Sequence, residues 1–244
     1  WGDPANPRVL VCVHGLTRQG RDFDTLARAM QAEYRVVCPD VVGRGSSDWL
    51  ADAAGYVVPG YVADMVTLLA RLDAQVVDWV GTSMGGLIGM GLASLSNSPL
   101  RRLVLNDVGP AIEAAAIARI GSYVGQPAHW KTVEEAAAAL RLISEGFGPH
   151  SDAQWLTLTR PQLKADGDGF KPHYDPAIAL AFKTMSPAML QAGEAMAWAA
   201  YDRISARTLL LRGKRSDLLS AATAKSMGER GPRAELVEFD GVGH

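Results

Sequence analysis

Residues 76–85 read Val-Val-Asp-Trp-Val-Gly-Thr-Ser-Met-Gly, an apolar run that passes directly into a Gly-x-Ser-x-Gly motif. Residues 87–93 then have the composition of a helix. A serine in this motif, between a strand and a helix, occupies a sharp turn that lifts its hydroxyl clear of the sheet edge. Gly81 and Gly85 keep side chains out of the crowded turn. The helix N-terminus favours developing negative charge, so Ser83 is predicted to be a nucleophile.

The composition predicts a folded chain with a substantial core. The 244 residues are 48% hydrophobic and 20% charged, with a formal net charge of -2. This length allows one domain, or one domain with an insertion. The small net charge argues against a nucleic acid or an anionic membrane as the main partner. No apolar run reaches the roughly eighteen residues that a transmembrane helix needs.

The sequence lacks the common cofactor motifs. It has no Cys/His cluster with zinc spacing and no Gly-x-Gly-x-x-Gly, so we expect neither a metal nor an organic cofactor. Two cysteines and no visible signal peptide lead us to expect a cytoplasmic location. The chain starts at Trp1 and stops at His244 just after a predicted strand, so both ends are expected to be trimmed.

Strand and helix patterns alternate along most of the chain. Six apolar runs predict strands at 8–13, 34–39, 76–80, 102–106, 208–213 and 234–239. This alternation predicts an α/β fold, with a mostly parallel central sheet and helices on both faces. Such sheets bind ligands beyond the carboxyl ends of their strands. The polar residues at or just past those ends are His14, Asp40, Ser83, Asp107, Asp217 and His244.

Residues 109–187 break the alternation. They are Ala-rich and mainly helical in pattern, and no strand is predicted among them. An excursion between two sheet strands at their carboxyl end would lie over the site, so we predict a helical cap, or lid, here. The remaining residues, 1–108 and 188–244, would form the core domain. The alternative is an insertion that serves stability away from the chemistry.

A serine hydroxyl needs a neighbouring base that a third group orients. Of the five histidines, His244 lies in a Gly-flanked loop after the last predicted strand, where it can reach Ser83, whereas His14 is expected to shape its own loop. Asp217 follows the preceding strand, so the order Ser83, Asp217, His244 is that of the known triad for this type of turn. Asp107, after the strand before that, is a rival for the acid.

Acyl transfer also requires hydrogen-bond donors aimed at the developing oxyanion. The backbone N–H of Met84, directly after the nucleophile, is predicted to supply one. The loop after the first strand supplies the other, and the backbone N–H of Leu16 is predicted for that role. Loss of one such donor typically lowers turnover about 10²–10³-fold.

Taken together, these motifs resemble the α/β-hydrolase fold superfamily, in its capped serine esterase/hydrolase branch. The matching pieces are His14-Gly15, the loop at 40–47 (similar to Asp-x-x-Gly-x-Gly-x-Ser), residues 81–86, residues 212–217 and Gly243-His244. The resemblance implies a sheet of eight strands with the second antiparallel. This chain would begin within the second strand and would lack the final helix.

The function expected first is hydrolysis of a small, apolar carboxylic ester through an acyl-enzyme on Ser83. The alternative is a C–C bond hydrolase of ring-cleavage products, which this chain resembles in Ser-Met-Gly-Gly and the helical cap. Such enzymes usually carry a Gly-rich stretch where this chain has residues 16–19. A ligand-binding protein with little turnover is the other alternative. The oligomeric state is left open.

Overall fold

A computed structural model describes residues 1–244. The α-helices and strands in chain order are β1 (Val9–Val13), α1 (Asp24–Met30), β2 (Arg35–Val37), α2 (Val58–Leu72), β3 (Val77–Thr82), α3 (Met84–Ala93), β4 (Leu100–Asn106), α4 (Ala114–Tyr123), α5 (Val133–Ile143), α6 (Asp152–Thr159), β5 (Leu163–Asp166), β6 (Gly169–Pro172), α7 (Leu180–Thr184), α8 (Pro187–Tyr201), β7 (Arg207–Gly213), α9 (Ala221–Glu229) and β8 (Glu235–Phe239).

The central sheet has six strands in the order β2-β1-β3-β4-β7-β8, and every neighbouring pair is parallel. All six strands predicted from apolar runs are present, so the predicted α/β class is confirmed. All five residues of β1 are buried, as expected for a parallel strand covered on both faces. The antiparallel strand that the resemblance implied in second position is not formed. The main chain of Trp1 nevertheless exchanges two hydrogen bonds with that of Val36, of 2.8 and 2.9 Å.

The main hydrophobic core lies between this sheet and α2, α3 and α8. It contains 29 buried residues, and Trp79 on β3 is completely buried in it. The indole Nε1 of Trp79 donates to the Gly85 carbonyl at 3.0 Å. Because Gly85 lies on the far side of the turn, this bond fixes the start of α3 against the strand that precedes it.

Residues 109–187 leave the sheet after β4 and contain four helices, α4 to α7, as the predicted helical pattern indicated. They also contain the antiparallel hairpin β5-β6, which the sequence analysis did not predict. Its strands have four residues each and lack a continuous apolar run, which explains why periodicity missed them. None of the helices combines the length and the low polarity needed to cross a bilayer.

Candidate active site

The turn between β3 and α3 holds Ser83 in a strained conformation, with φ 52° and ψ −116°. A Cβ on Gly85 would lie 2.0 Å from the Val13 carbonyl oxygen, and a Cβ on Gly81 would lie 2.2 Å from the Gly85 carbonyl oxygen. Neither position therefore has room for a side chain. A non-glycine residue at positive φ costs about 1–3 kcal/mol and persists only where the surroundings enforce it.

His244 lies between Ser83 and a carboxylate. Its Nε2 is 3.1 Å from Ser83 Oγ, and its Nδ1 is 2.7 Å from Asp107 Oδ2. Asp107 is 6% exposed. Its other oxygen, Oδ1, accepts from the Gly213 N–H at 3.0 Å, and Oδ2 also accepts from the Ser216 hydroxyl at 2.6 Å. The carboxylate is thus held by the neighbouring strand β7 and the loop that follows it.

The carboxylate that is hydrogen-bonded to His244 therefore belongs to Asp107 and not to Asp217, which the sequence order had favoured. Asp217 instead accepts two hydrogen bonds from Arg119 of α4, at 2.6 and 2.9 Å, and its side chain is 47% exposed. Desolvation acts to raise the pKa of Asp217, but the hydrogen bonds and charge of Arg119 outweigh it and hold that pKa below its usual range. Ser216, one residue earlier in this loop, donates a hydrogen bond to the carboxylate of Asp107.

Leu16, in the loop after β1, lines the same cavity as Ser83. Leu16 lies outside the helices and strands, and its N–H makes no hydrogen bond. Met84 is the first residue of α3, where a backbone N–H has no acceptor within the helix. Both N–H groups are thus available to a bound oxygen.

His14 anchors this loop from beneath, as its predicted shaping role requires. It is completely buried, its Nδ1 donates to the Gly15 carbonyl at 2.7 Å, and its Nε2 accepts from the Val41 N–H at 3.0 Å. Burial lowers the pKa of His14 to about 4, so the ring is neutral at neutral pH. The two hydrogen bonds require the tautomer with the proton on Nδ1.

A cavity of about 600 Å³ opens over Ser83 and His244. The core contributes the loop at 15–18 and the loop at 242–244, and residues 109–187 contribute most of the remaining wall. Aromatic side chains on that wall include Tyr123, Trp130 and Phe147. Two arginines also line it, Arg18 and Arg119, each held by a carboxylate.

Sequence reasoning did not find the supports of the site. The hydroxyl of Ser216 is an example, because a serine in a loop carries no distinctive pattern. Asp107 did carry a sequence signal, because it follows directly on β4 and was predicted as the rival acid. Its φ of 53° places it, like Ser83, in a region that non-glycine residues rarely occupy. That conformation is visible only in the structure.

Comparison with known proteins agrees with this architecture. A model of the alpha/beta hydrolase family matches residues 10–244. The chain is 56% identical over 248 residues to a 3-hydroxybutyrate-oligomer hydrolase of Cupriavidus necator, in a match that covers 100% of this chain and 85% of that protein. It is 29% identical over 213 residues to a 2-hydroxymuconate semialdehyde hydrolase of Pseudomonas sp. strain CF600, covering 86% of this chain and 70% of that protein.

Among solved structures, an alpha/beta hydrolase of Novosphingobium aromaticivorans superposes with a TM-score of 0.87. The two sequences are 36% identical, and the match covers 100% of this chain and 85% of that one. The family match extends over nearly the whole chain, including the Ser83 turn and His244. The chain belongs to the alpha/beta hydrolase family, and it is a hydrolase.

Proposed function

We propose that the protein hydrolyses carboxylic esters, with Ser83 as nucleophile, His244 as general base and then general acid, and Asp107 as the carboxylate that orients the imidazole. The observation that carries this proposal is the continuous hydrogen-bonded chain from Ser83 Oγ through His244 to Asp107 Oδ2. Nucleophile, base and orienting group in this arrangement are the requirements of covalent acyl transfer.

The proposed reaction follows from these contacts. Nε2 of His244 takes the proton of Ser83 Oγ as that oxygen attacks the ester carbonyl, and Asp107 stabilises the imidazolium that forms. The N–H groups of Leu16 and Met84 hold the carbonyl oxygen as it becomes negative. The imidazolium then protonates the leaving alcohol. Water, activated by the same imidazole, releases the acid from the acyl-enzyme.

The substrate class that we propose is a short oligoester of a hydroxy acid. The 56% identity to a 3-hydroxybutyrate-oligomer hydrolase, across the full chain, supports it. The cavity offers a second argument. A hydroxy-acid oligoester ends in a free carboxylate a few bonds from its terminal ester, and two guanidinium groups line this cavity beside apolar side chains. A wholly apolar ester would make no polar contact with these two guanidinium groups.

We also propose that residues 109–187 act as a lid over this site. Gly243 N–H donates to the Gly146 carbonyl at 2.7 Å, so the segment is bonded directly to the loop that carries His244. Arg119 joins α4 to the loop after β7 through Asp217. Enclosure of this kind excludes water and strengthens electrostatic interactions inside the site.

The decisive experiment measures hydrolysis of the 3-hydroxybutyrate dimer and of p-nitrophenyl butyrate by the wild type and by Ser83→Ala. We expect turnover of both by the wild type, none above background by the variant, and a transient acyl adduct on Ser83 by mass spectrometry. Wild-type turnover that persists in Ser83→Ala would refute the assignment. Ligand binding without turnover would point to the binding protein considered above.

A C–C bond hydrolase is the second candidate, because a 2-hydroxymuconate semialdehyde hydrolase is 29% identical over 86% of this chain. The same constellation would serve either bond. A ring-cleavage dienoate, followed by its visible absorbance, separates the two: consumption of the dienoate with no turnover of either ester would favour C–C cleavage.

A further inference from the structure

The side chain of Arg44 is completely buried directly beneath the loop that carries Leu16. Its Nε donates to the Leu16 carbonyl at 2.7 Å, and its Nη1 donates to the Val42 carbonyl at 2.7 Å and to Tyr61 Oη at 3.0 Å. Its Nη2 lies 3.5 Å from Met84 Sδ. One guanidinium therefore touches both residues whose N–H groups are proposed to hold the oxyanion.

None of these four partners carries a charge. The Tyr61 and Tyr56 rings lie 4.9 and 5.7 Å from the guanidinium carbon and offer their π faces. Tyr56 Oη in turn donates to Asp175 at 2.6 Å, so the negative charge stands one side chain away. Burial lowers the pKa of Arg44, but not enough to remove the proton of an arginine.

Two glycines, Gly43 and Gly45, flank Arg44 in the loop at 40–47 and allow the turn that directs the arginine side chain inward. Gly43 has φ 83° and Gly45 has φ 54°, both in the left-handed region that favours glycine. A Cβ on Gly43 would lie 2.6 Å from the Tyr56 ring, and one on Gly45 would lie 2.2 Å from Asp40 Oδ2. The loop thus turns sharply on both sides of Arg44, and the Asp175 N–H, from residues 109–187, donates to the Gly43 carbonyl at 2.8 Å.

A buried cation without a paired anion is costly unless something else requires it. From these contacts we propose that Arg44 is a positioning residue of the oxyanion hole: it fixes the Leu16 main chain and the Met84 side chain and sets a positive charge under the substrate oxygen. The inference rests on the proposed acyl-transfer function. It adds a group that acts through the donors and does not touch the substrate.

The test compares Arg44→Gln and Arg44→Lys with a matched control, Arg35→Gln. Arg35 also donates to two main-chain carbonyls, those of Pro4 and Leu72, but it lies at the amino end of β2, away from the site. Each protein is assayed for kcat and KM on p-nitrophenyl butyrate, for melting temperature, and for affinity to two inhibitors. One is butylboronic acid, which becomes a tetrahedral anion on the serine; the other is neutral butyramide.

We expect Arg44→Gln to lower kcat by about 100-fold, the cost of losing one oxyanion donor, with KM changed less than about threefold. Boronate affinity should fall by a similar factor while butyramide affinity holds. Arg44→Lys keeps the charge but cannot span all the acceptors, so about a tenfold loss is expected, in line with small misplacements of catalytic groups. Arg35→Gln should lower the melting temperature and leave the boronate-to-butyramide ratio unchanged.

A folded Arg44→Gln with wild-type kcat, or with equal losses of boronate and butyramide affinity, would overturn the inference. If Arg44→Gln does not fold, Arg44→Lys decides: an unchanged inhibitor ratio refutes the role and a reduced one supports it. Failure of the proposed function is seen separately, as absence of Ser83-dependent turnover in the wild type.

Discussion

Asp107 and His244 meet through a 2.7 Å contact between Oδ2 and Nδ1, although 137 residues separate them in the chain. The contact depends on two different loops, one leaving β4 and one following β8. β7 lies between these strands and contributes the Gly213 N–H that fixes the other carboxylate oxygen. The acid of the proposed triad therefore stands two strands away from the histidine it orients.

This arrangement predicts opposite outcomes for two similar substitutions. In Asp107→Asn, the amide group must face either the Gly213 N–H or the imidazole, and either choice disturbs the histidine. We expect kcat to fall by about 10³–10⁴-fold, as for loss of an orienting carboxylate. Asp217→Asn removes an exposed ion pair worth at most about 1 kcal/mol, so kcat should stay within about fivefold of wild type.

Steady-state assays of both variants on p-nitrophenyl butyrate, with melting temperatures as the folding control, check this prediction. A large loss in Asp217→Asn together with near-normal Asp107→Asn would reverse the assignment and restore the order expected from sequence.

The sequence was sufficient wherever the signal is local. The parallel strands could be predicted because each is a short apolar run, and the Ser83 turn because its glycines are required by contacts within a few residues. The order of the motifs favoured Asp217 as the acid, but Asp107 and Asp217 both follow sheet strands, and the hydrogen bond to His244 comes from Asp107. The Asp217 carboxylate is bound instead by Arg119 of α4, 98 residues away in the chain, and local sequence does not reveal such a contact. The hairpin β5-β6 was missed for a related reason, because its pairing depends on turn geometry more than on apolar pattern.

His14 predicts an acid-sensitive fold. Its pKa in the folded state is about 4, whereas an unfolded histidine titrates near 6.5. Between these pH values the unfolded chain binds a proton at His14 that the folded chain does not. The contribution of neutral His14 to the free energy of unfolding is therefore fully present above about pH 7 and is lost as the pH falls toward 4. The shift corresponds to about 3 kcal/mol over that window.

Urea unfolding of the wild type at intervals from pH 7 to pH 4.5 measures this loss. His14→Gln should be less stable at pH 7, because its two hydrogen bonds are disturbed, but its stability should decline less steeply with acid. His129→Gln, which alters a histidine whose side chain is 40% exposed, should keep the wild-type slope. Equal slopes for His14→Gln and the wild type would show that another group governs the acid response.

Gly146 predicts that residues 109–187 control the His244 loop through direct contact. A Cβ at this position would lie 2.9 Å from the His244 carbonyl oxygen and 3.2 Å from its nitrogen, closer than side chains tolerate. Gly146→Ala should push the two loops apart and lower kcat by about tenfold or more, since small misplacements of a catalytic group cost up to about 100-fold. The melting temperature should change little, because the contact lies at the surface of the core.

Gly193→Ala is the matched control for that experiment. Gly193 lies in α8 with nothing within 4 Å of the added methyl, and alanine there should stabilise the helix by up to about 1 kcal/mol without affecting turnover. If Gly146→Ala keeps wild-type kcat, the two loops can separate without consequence and the lid proposal loses its mechanical basis.

The arginines of the cavity predict selectivity for a charged end of the substrate. Arg18 donates Nε and Nη2 to Asp22 at 2.6 and 2.8 Å, which leaves Nη1 without a hydrogen-bond partner, and a methyl on Gly15 would lie 3.7 Å from both Arg18 Cγ and Ser83 Cβ. The stem of the Arg18 side chain therefore passes close to Ser83. Arg119 likewise uses Nε and Nη2 on Asp217.

The measurement compares kcat/KM for the 3-hydroxybutyrate dimer as the free acid and as its methyl ester. The wild type should prefer the acid, and the guanidinium that binds the carboxylate is found by substitution. Arg18→Gln or Arg119→Gln should remove about 10–100-fold of that preference, the worth of one hydrogen bond to a charged group, while the methyl ester is hydrolysed as before. Equal losses on both substrates would mean that the arginines only support the cavity wall.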